Sequence, residues 1–429
     1  MGARKKCCYL ESVCKYLLIF LVTSNAQSQI IKEKKLKKWI EEIPAFDKAH
    51  VAIRVEGDVN IYADYNGSKY MTPASNTKLL TFLAAIQTFD SLPALEYKTV
   101  NDSLIKFSST GYPLLLHPFY PDTTLFDFLS QNKTWKYSVN NKKLDPLGAG
   151  WMWDDYMYYY SSEKSVFPIY GNSVKAIKGK GLVPYFELQI DTFHNALERD
   201  FNNNKFYSNP KKWEIKDTLY RPFITNDSLF LKLLSNATNN LIIFEKSNDE
   251  VIWDKLYTNH EKALYKALLH DSDNGIAESL LLMISKEIFD DFSTDKAINY
   301  FKNKWRGQLS DSLFWVDGSG VSRYNMFTPR TITSILKMIT LEISRNEIEE
   351  FFPKSYNLNT SSPYSDLSGV FVKTGSLKHN HNLSGYIFKQ NGELLTFSIM
   401  VNHYDKSKID TQKGISQLLK KIKKKLVNK

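Results

Sequence analysis

The chain has 429 residues, of which 43% are hydrophobic and 14% aromatic, and it carries a net charge of +10. This length is enough for two or three domains with a large core, and the composition excludes a disordered protein. The positive charge does not indicate nucleic-acid binding, because no motif of that kind accompanies it.

Residues 1–26 have the pattern of a cleavable export signal. Basic residues precede a short apolar run at 16–22, and the Ser-Asn-Ala at 24–26 fits a signal-peptidase site. This run is too short for a permanent membrane anchor. All three cysteines lie here, so the mature chain would have no disulfide and no thiolate metal site, which suits an oxidising compartment. We predict a soluble protein of the periplasm or cell envelope; the alternative is a buried N-terminal helix.

The next segments predict a hairpin and then a buried helix. Apolar residues alternate on both sides of Gly57 within 49–65, which is typical of a β-hairpin. Pro73 favours a helix start, and the run from Leu79 is apolar on nearly all sides, as in a buried central helix.

Residues 95–255 differ from the flanking segments in their sequence pattern. This pattern predicts an inserted, mainly β region, with strand-like pieces at 182–190 and 241–244. Helices are expected at 260–269 and 275–288, followed by strands at 369–374, 383–388 and 395–402. We therefore predict an α+β fold in which an antiparallel sheet joins the two ends of the chain. Its catalytic domain would be discontinuous, comprising 27–94 and 256–429.

The chain ends in a lysine-rich helix. Its apolar residues share one face, so we expect them to pack on the domain while the lysines are solvated. The alternative is peripheral contact with membrane headgroups. The lysines concerned are Lys420, Lys421, Lys423, Lys424 and Lys425.

Three short motifs occur in a fixed order: Ser-Asn-Thr-Lys at 75–78, Ser-Asp-Asn at 272–274 and Lys-Thr-Gly at 373–375. The pattern Ser-x-x-Lys alone is weak evidence, because it also begins at other serines, among them Ser103, Ser130, Ser208, Ser293 and Ser334. The combination is characteristic of serine acyl-transfer enzymes acting on penicillin-like or D-alanyl-D-alanine substrates.

The first motif can supply a nucleophile and its base. Ser75 and Lys78 share one face of a helix, and Ser75 would lie near the helix N-terminus. A serine hydroxyl needs a base, and a lysine serves as one only when burial or neighbouring positive charge, here from Lys373, favours its neutral form.

The other two motifs can complete the site. Ser272 can relay a proton to the leaving amine, and the Asn274 amide can orient Lys78 and the substrate. An N-cap role for this motif is compatible with catalysis. Lys373 and Thr374 can hold a terminal carboxylate, and Gly375 lets the substrate lie along the strand. The backbone N–H groups of Ser75 and Ser376 are the expected oxyanion hole.

Two further motifs, Asp-Gly-Ser-Gly at 317–320 and the Trp-rich 150–155, are interpreted as structural. His379 and His381 alternate beside the Lys-Thr-Gly strand, but two histidines do not make a metal site. No cofactor is expected.

Together these motifs resemble the class C low-molecular-mass penicillin-binding proteins, D-Ala-D-Ala carboxypeptidases and endopeptidases. The resemblance rests on 73–79, 148–155, 272–278, 317–324 and 373–375. It implies the serine β-lactamase/DD-peptidase fold, peptidoglycan stem peptides as substrates and β-lactams as acylating inhibitors. The alternative is a peptidoglycan-binding protein of the same fold without catalysis.

The spacing favours this family over a class A β-lactamase, because Ser75 and Ser272 are 197 positions apart, as a large insertion requires. One segment departs from the family pattern. Its members usually carry Gly-Gly-Asp-Pro early in the insertion, where this chain reads Leu-His-Pro-Phe-Tyr-Pro-Asp at 116–122.

Overall fold

A computed structural model describes residues 30–139, 144–213, 217–246, 253–355 and 362–427. The predicted export signal lies outside these residues. The helices are α1 Glu33–Glu41, α2 Lys78–Ile86, α3 Thr123–Leu129, α4 Asp227–Thr238, α5 Glu261–Lys266, α6 Asn274–Phe289, α7 Thr294–Lys304, α8 Pro329–Glu342, α9 Arg345–Phe351 and α10 Lys408–Val427.

Sixteen strands are present among the described residues. They are β1 His50–Glu56, β2 Ile61–Tyr65, β3 Pro93–Asn101, β4 Leu104–Ser108, β5 Thr134–Val139, β6 Ser173–Ile177, β7 Gly181–Val183, β8 Leu188–Ile190, β9 Glu198–Arg199, β10 Phe206–Ser208, β11 Thr218–Pro222, β12 Ile242–Lys246, β13 Asp254–Tyr257, β14 Val370–Leu377, β15 Asn380–Phe388 and β16 Leu394–Asn402.

The central sheet is antiparallel, with the strand order β14-β15-β16-β1-β2. The predicted N-terminal hairpin is β1–β2, and the three predicted C-terminal strands are β14 to β16. The sheet therefore joins the two ends of the chain, as predicted. β14 is an edge strand of this sheet, and it carries the Lys-Thr-Gly motif.

Helices cover both faces of this sheet. On one face α2, α6 and α8 share the larger core with Phe371 and Tyr386. On the other face α1 and α10 pack against alternate strand residues such as Val372 and Leu383. The apolar face of α10 is buried, and its lysines point outward; Lys420 pairs with Asp366 at 2.9 Å. The lysine-rich helix thus packs on the domain as expected.

Between β2 and α5 the chain forms further sheets. One has five strands in the order β12-β5-β4-β3-β13, and two have three strands each. The region also contains α3 and α4, but eleven of its described elements are strands, so it is mainly β, as predicted. The predicted strand 182–190 is two strands, β7 and β8, because Pro184 interrupts it and has no N–H for a ladder.

The predicted helix at 260–269 is α5 followed by a wider π turn, Ala267–Asp271, which carries the chain to Ser272. None of the helices in the described ranges is both long and apolar enough to cross a membrane.

Candidate active site

Ser75 lies in a tight 3-10 turn, Ala74–Thr77, that precedes α2. Ala74 has a φ of 49°, in the left-handed region that non-glycine residues rarely adopt. The Thr77 hydroxyl donates to the Ala74 carbonyl at 2.8 Å. Gly320 packs so closely that a Cβ there would lie 2.0 Å from the same carbonyl oxygen. The turn that carries Ser75 is thus held by its own Thr77 hydrogen bond and by close packing against Gly320.

Buried amide and hydroxyl side chains fix this turn to the sheet. Asn76 donates to the Lys373 carbonyl at 2.9 Å and accepts from the Ser384 hydroxyl at 2.8 Å. Asn382 donates to the Pro73 carbonyl at 2.8 Å. At Gly375, a Cβ would come within 2.5 Å of that carbonyl, so only glycine allows β14 to approach the turn.

Lys78 is fully buried, and its ammonium nitrogen has three hydrogen-bond acceptors. These are Ser75 Oγ at 3.2 Å, Asn274 Oδ1 at 2.6 Å and the Ser319 carbonyl at 2.7 Å. Burial lowers the pKa of Lys78 to about 8, although the charges of Asp317, Asp273 and Glu278 oppose that shift. Burial, rather than the predicted charge of Lys373, is the main cause.

Ser272 and Lys373 form the second pair. The Lys373 ammonium donates to Ser272 Oγ at 2.9 Å and to the Thr374 carbonyl at 3.0 Å. Ser272 itself has a φ of 60°. Burial, and then the charge of Lys78, hold the pKa of Lys373 well below the usual lysine value. The charge of Lys78 therefore contributes to the lowered pKa of Lys373.

The other two residues of the Ser-Asp-Asn loop, Asp273 and Asn274, make contacts that fix the local backbone as well as a contact with Lys78. Asp273 is the N-cap of α6, with Oδ1 accepting from the Ile276 N–H at 2.9 Å. Asn274 uses its oxygen for Lys78, and its Nδ2 donates to the Tyr160 carbonyl at 2.7 Å. The N-cap interpretation and the predicted orienting of Lys78 are both compatible with this geometry.

The two motifs interpreted as structural, Asp-Gly-Ser-Gly at 317–320 and the Trp-rich 150–155, contact each other. The Trp151 indole donates to Asp317 Oδ2 at 2.9 Å, and the same buried carboxylate accepts from the N–H groups of Gly320 and Ser322 at 2.8 and 2.6 Å. This loop carries the Ser319 carbonyl that binds Lys78. The Asp-Gly-Ser-Gly motif thus shapes the site through its backbone.

Sequence reasoning missed Glu278. It is 2% exposed, and its Oε1 accepts from the Ser319 N–H at 2.8 Å. Burial and the charge of Asp317 raise the pKa of Glu278 to about 7. Its position one turn after Asn274, as a carboxylate in a helix whose buried residues are mostly apolar, was the available signal.

Ser376 lies on β14 beyond Gly375, and its hydroxyl is 2.7 Å from His381 Nδ1. The other ring nitrogen of His381 is 2.7 Å from the Tyr364 hydroxyl. His379 lies instead against the Tyr404 carbonyl, at 3.0 Å. Within the residues that the structure covers, no cluster of three or more His, Cys, Asp or Glu side chains could hold a metal.

A cavity of about 290 Å³ opens beside Ser272 and Asn274. Its wall combines these residues with parts of the inserted region, including Tyr120, Tyr160 and Lys164. The inserted region therefore contributes directly to the surroundings of the candidate site.

An antiparallel sheet flanked by helices, on which Ser75, Ser272 and Lys373 converge, defines a serine acyl-transfer enzyme of the DD-peptidase type. The sequence profile of the D-Ala-D-Ala carboxypeptidase 3 (S13) family matches residues 32–116 and 255–422. The chain belongs to this family and is a serine-type D-Ala-D-Ala peptidase.

The D-alanyl-D-alanine carboxypeptidase DacB of Haemophilus influenzae is 24% identical over 468 aligned positions, covering 94% of this chain and 95% of the relative. The crystal structure of penicillin-binding protein 4 (dacB) of the same organism superposes with a TM-score of 0.72 at 19% identity, covering 91% and 99% of the two chains.

A second solved structure is Bd3459, a predatory peptidoglycan endopeptidase of Bdellovibrio bacteriovorus. Its TM-score is 0.51 at 15% identity, covering 89% of this chain and 93% of that one. At these identities the two structures establish the fold alone.

Proposed function

We propose that this chain cleaves the D-Ala–D-Ala bond of peptidoglycan stem peptides through an acyl-enzyme on Ser75. The contact between Lys78 Nζ and Ser75 Oγ, at 3.2 Å in a buried setting, carries this proposal. A lysine with a pKa near 8 has a neutral fraction large enough to act as a base near neutral pH.

In the first step, the Ser75 oxygen attacks the carbonyl carbon of the scissile bond while Lys78 takes the hydroxyl proton. The C–N bond then breaks, and the proton held by Lys78 is passed to the leaving amine through the hydroxyl of Ser272, which is hydrogen-bonded to Lys373. In the second step neutral Lys78 takes a proton from the water that attacks the ester. The C–O bond to Ser75 breaks, Lys78 returns that proton to the Ser75 oxygen, and the acid product leaves.

Lys373, Thr374 and Gly375 are proposed to bind the substrate at β14. Lys373 lies beside Ser272, so its ammonium can hold the terminal carboxylate on the leaving-group side. The backbone N–H groups of Ser75 and Ser376 are proposed as the oxyanion hole, since Gly375 brings β14 within van der Waals contact of the Ser75 turn.

Both carboxypeptidase and endopeptidase activities fit this site, because they differ only in the group on the leaving side of the scissile bond. One relative is named a carboxypeptidase, and one structural neighbour is named an endopeptidase. Digestion of purified peptidoglycan followed by mass spectrometry of the muropeptides separates them. Loss of terminal D-alanine indicates the first activity, and conversion of cross-linked dimers to monomers indicates the second.

The alternative function is binding of peptidoglycan without catalysis. It predicts that purified peptidoglycan retains the protein but releases neither D-alanine nor monomers. β-Lactams are the expected acylating inhibitors of an active enzyme; penicillin-binding protein 4 of Haemophilus influenzae has a crystal structure in complex with a β-lactam.

The discontinuous domain, 27–94 and 256–429 with 95–255 inserted, remains our proposed division of the chain.

We also propose export to the periplasm or cell envelope, supported by the pattern of residues 1–26. N-terminal sequencing of the protein from a cell fraction would then begin at Gln27. An intact Met1 terminus on the fractionated protein would contradict export.

A membrane contact through α10 would use lysine charge alone, since the apolar face of the helix is buried.

A further inference from the structure

The segment 116–122 of the inserted region contacts both acidic residues that flank Ser272. The Tyr120 hydroxyl donates a hydrogen bond to the Asp271 carboxylate. His117 Nε2 lies 3.6 Å from Asp273 Oδ2. Ser272 therefore lies between two aspartates, and a side chain of the segment 116–122 contacts the carboxylate of each.

The His117 ring is fixed in one orientation. Its Nδ1 faces the backbone N–H groups of Phe119 and Tyr120, at 3.4 and 3.3 Å, so it is assigned as an acceptor and the ring proton lies on Nε2, toward Asp273. The ring is buried, and the backbone at Gly171 packs against it, since a Cβ there would lie 3.2 Å from Nε2. Burial lowers the pKa of His117, which keeps the ring neutral.

The segment is itself anchored at its end. Asp122 is fully buried, accepts from the Tyr112 hydroxyl at 2.8 Å and caps α3 by accepting from the Leu125 N–H at 3.1 Å. His260 Nδ1 lies 3.3 Å from the same carboxylate. A support fixed in this way can hold another loop in place.

We propose that His117 and Tyr120 are positioning residues for Ser272. They hold the two flanking aspartates, and so keep a serine with a φ of 60° at hydrogen-bond distance from Lys373. In this chain they occupy the segment where the family it resembles usually has Gly-Gly-Asp-Pro. The inference rests on the proposed proton relay through Ser272.

The first test measures steady-state kinetics on a D-Ala-D-Ala peptide. We expect His117→Ala and Tyr120→Phe each to lower kcat about tenfold with KM changed less than twofold, because the relay acts on the leaving group rather than on binding. His117→Gln, whose amide can replace the Nε2 donor, should recover most of the loss. The matched controls are His194→Ala, which removes a His–Asp pair with 2.7 Å separation elsewhere in the insertion, and Tyr62→Phe.

The second test is a double-mutant cycle with Ser272→Ala. If His117 acts through Ser272, His117→Ala should cause no further loss of kcat in the Ser272→Ala background. Independent, multiplying losses would overturn the inference while leaving the relay intact. A Ser272→Ala enzyme with the parent kcat would overturn the relay, and the inference with it. Should His117→Ala fail to fold, the same cycle with Tyr120→Phe decides the question.

Discussion

The side-chain amide of Asn76 donates to the main-chain carbonyl of Lys373 at 2.9 Å, across 297 positions of sequence. Asn76 is fully buried, and its oxygen accepts from Ser384 on the neighbouring strand β15. One side chain therefore ties the turn that carries Ser75 to the strand that carries the Lys-Thr-Gly motif. The relative placement of nucleophile and substrate strand depends on it.

Removing this link should cost both stability and activity. In Asn76→Ala the Lys373 carbonyl loses this buried donor and the Ser384 hydroxyl keeps only its contact with Ser398, at 2.9 Å, which costs about 1–3 kcal/mol of unfolding free energy. Acylation by penicillin should slow as well, because Ser75 and β14 are no longer held together. Asn240→Ala is the control: Asn240 is a buried asparagine of the insertion that donates to the Leu129 and Gln131 carbonyls at 3.0 and 2.8 Å. It should lose stability with acylation unchanged. Equal acylation rates in the two variants would contradict this role.

Lys373→Ala tests the carboxylate anchor. Loss of one charge-assisted contact is worth about 1.5–3 kcal/mol, so acylation should slow roughly 10- to 150-fold. The thermal melt should stay close to that of the parent, because a buried lysine with a strongly lowered pKa contributes little to stability. Lys337→Ala, which removes an ion pair with Glu56, is the control. A Lys373→Ala protein acylated at the parent rate would rule out the anchor.

The pH dependence of acylation should report Lys78. Only the neutral amine is a base, so its reactive fraction grows as pH rises through about 8, and the acylation rate should rise over the same window. Lys373→Ala should keep this rising limb, since burial is the main cause of the shift. A rate that is flat, or that falls, between pH 6 and 9 would contradict Lys78 as the base.

Glu278 should influence the pKa of Lys78 through its charge. Its negative charge raises the pKa of Lys78, so Glu278→Gln should move the rising limb to lower pH. The amide oxygen can still accept from the Ser319 N–H, so the loop should keep its shape. Glu287→Gln, on the same helix but paired with Lys255 at its solvent-facing end, is the control and should leave the profile in place. A shift to higher pH would refute the electrostatic link.

Much of the fold could be predicted from pattern alone. The alternation around Gly57 predicted β1 and β2, and the order of helices and strands predicted a sheet joining the chain ends. The insertion was harder to predict, because its strands are short and pair in parallel as well as antiparallel, as β5 does with β4 and β12. Such pairings are set by tertiary contacts that a single sequence does not record.

The motif residues were found because each motif keeps its chemistry within three or four positions. The roles of the residues that hold the motifs together were not predicted, because their contacts join segments that are between 41 and 309 positions apart. Asn76, Asn382 and Glu278 are buried polar groups whose partners are mostly backbone atoms. Ser75 was expected near a helix N-terminus, and it lies in the 3-10 turn just before one, since Ala74 and Gly320 meet there.

The most direct test of the account is covalent labelling by a fluorescent penicillin, read by intact-mass spectrometry and peptide mapping. The parent protein should gain the mass of one penicillin on the peptide that contains Ser75, and Ser75→Ala should gain none. Ser334→Ala removes the serine of another Ser-x-x-Lys pattern, on α8, where its hydroxyl bonds the Arg330 carbonyl at 2.8 Å; it should label like the parent. Label that persists in Ser75→Ala, or an unlabelled parent, would contradict the assignment of Ser75 as the nucleophile.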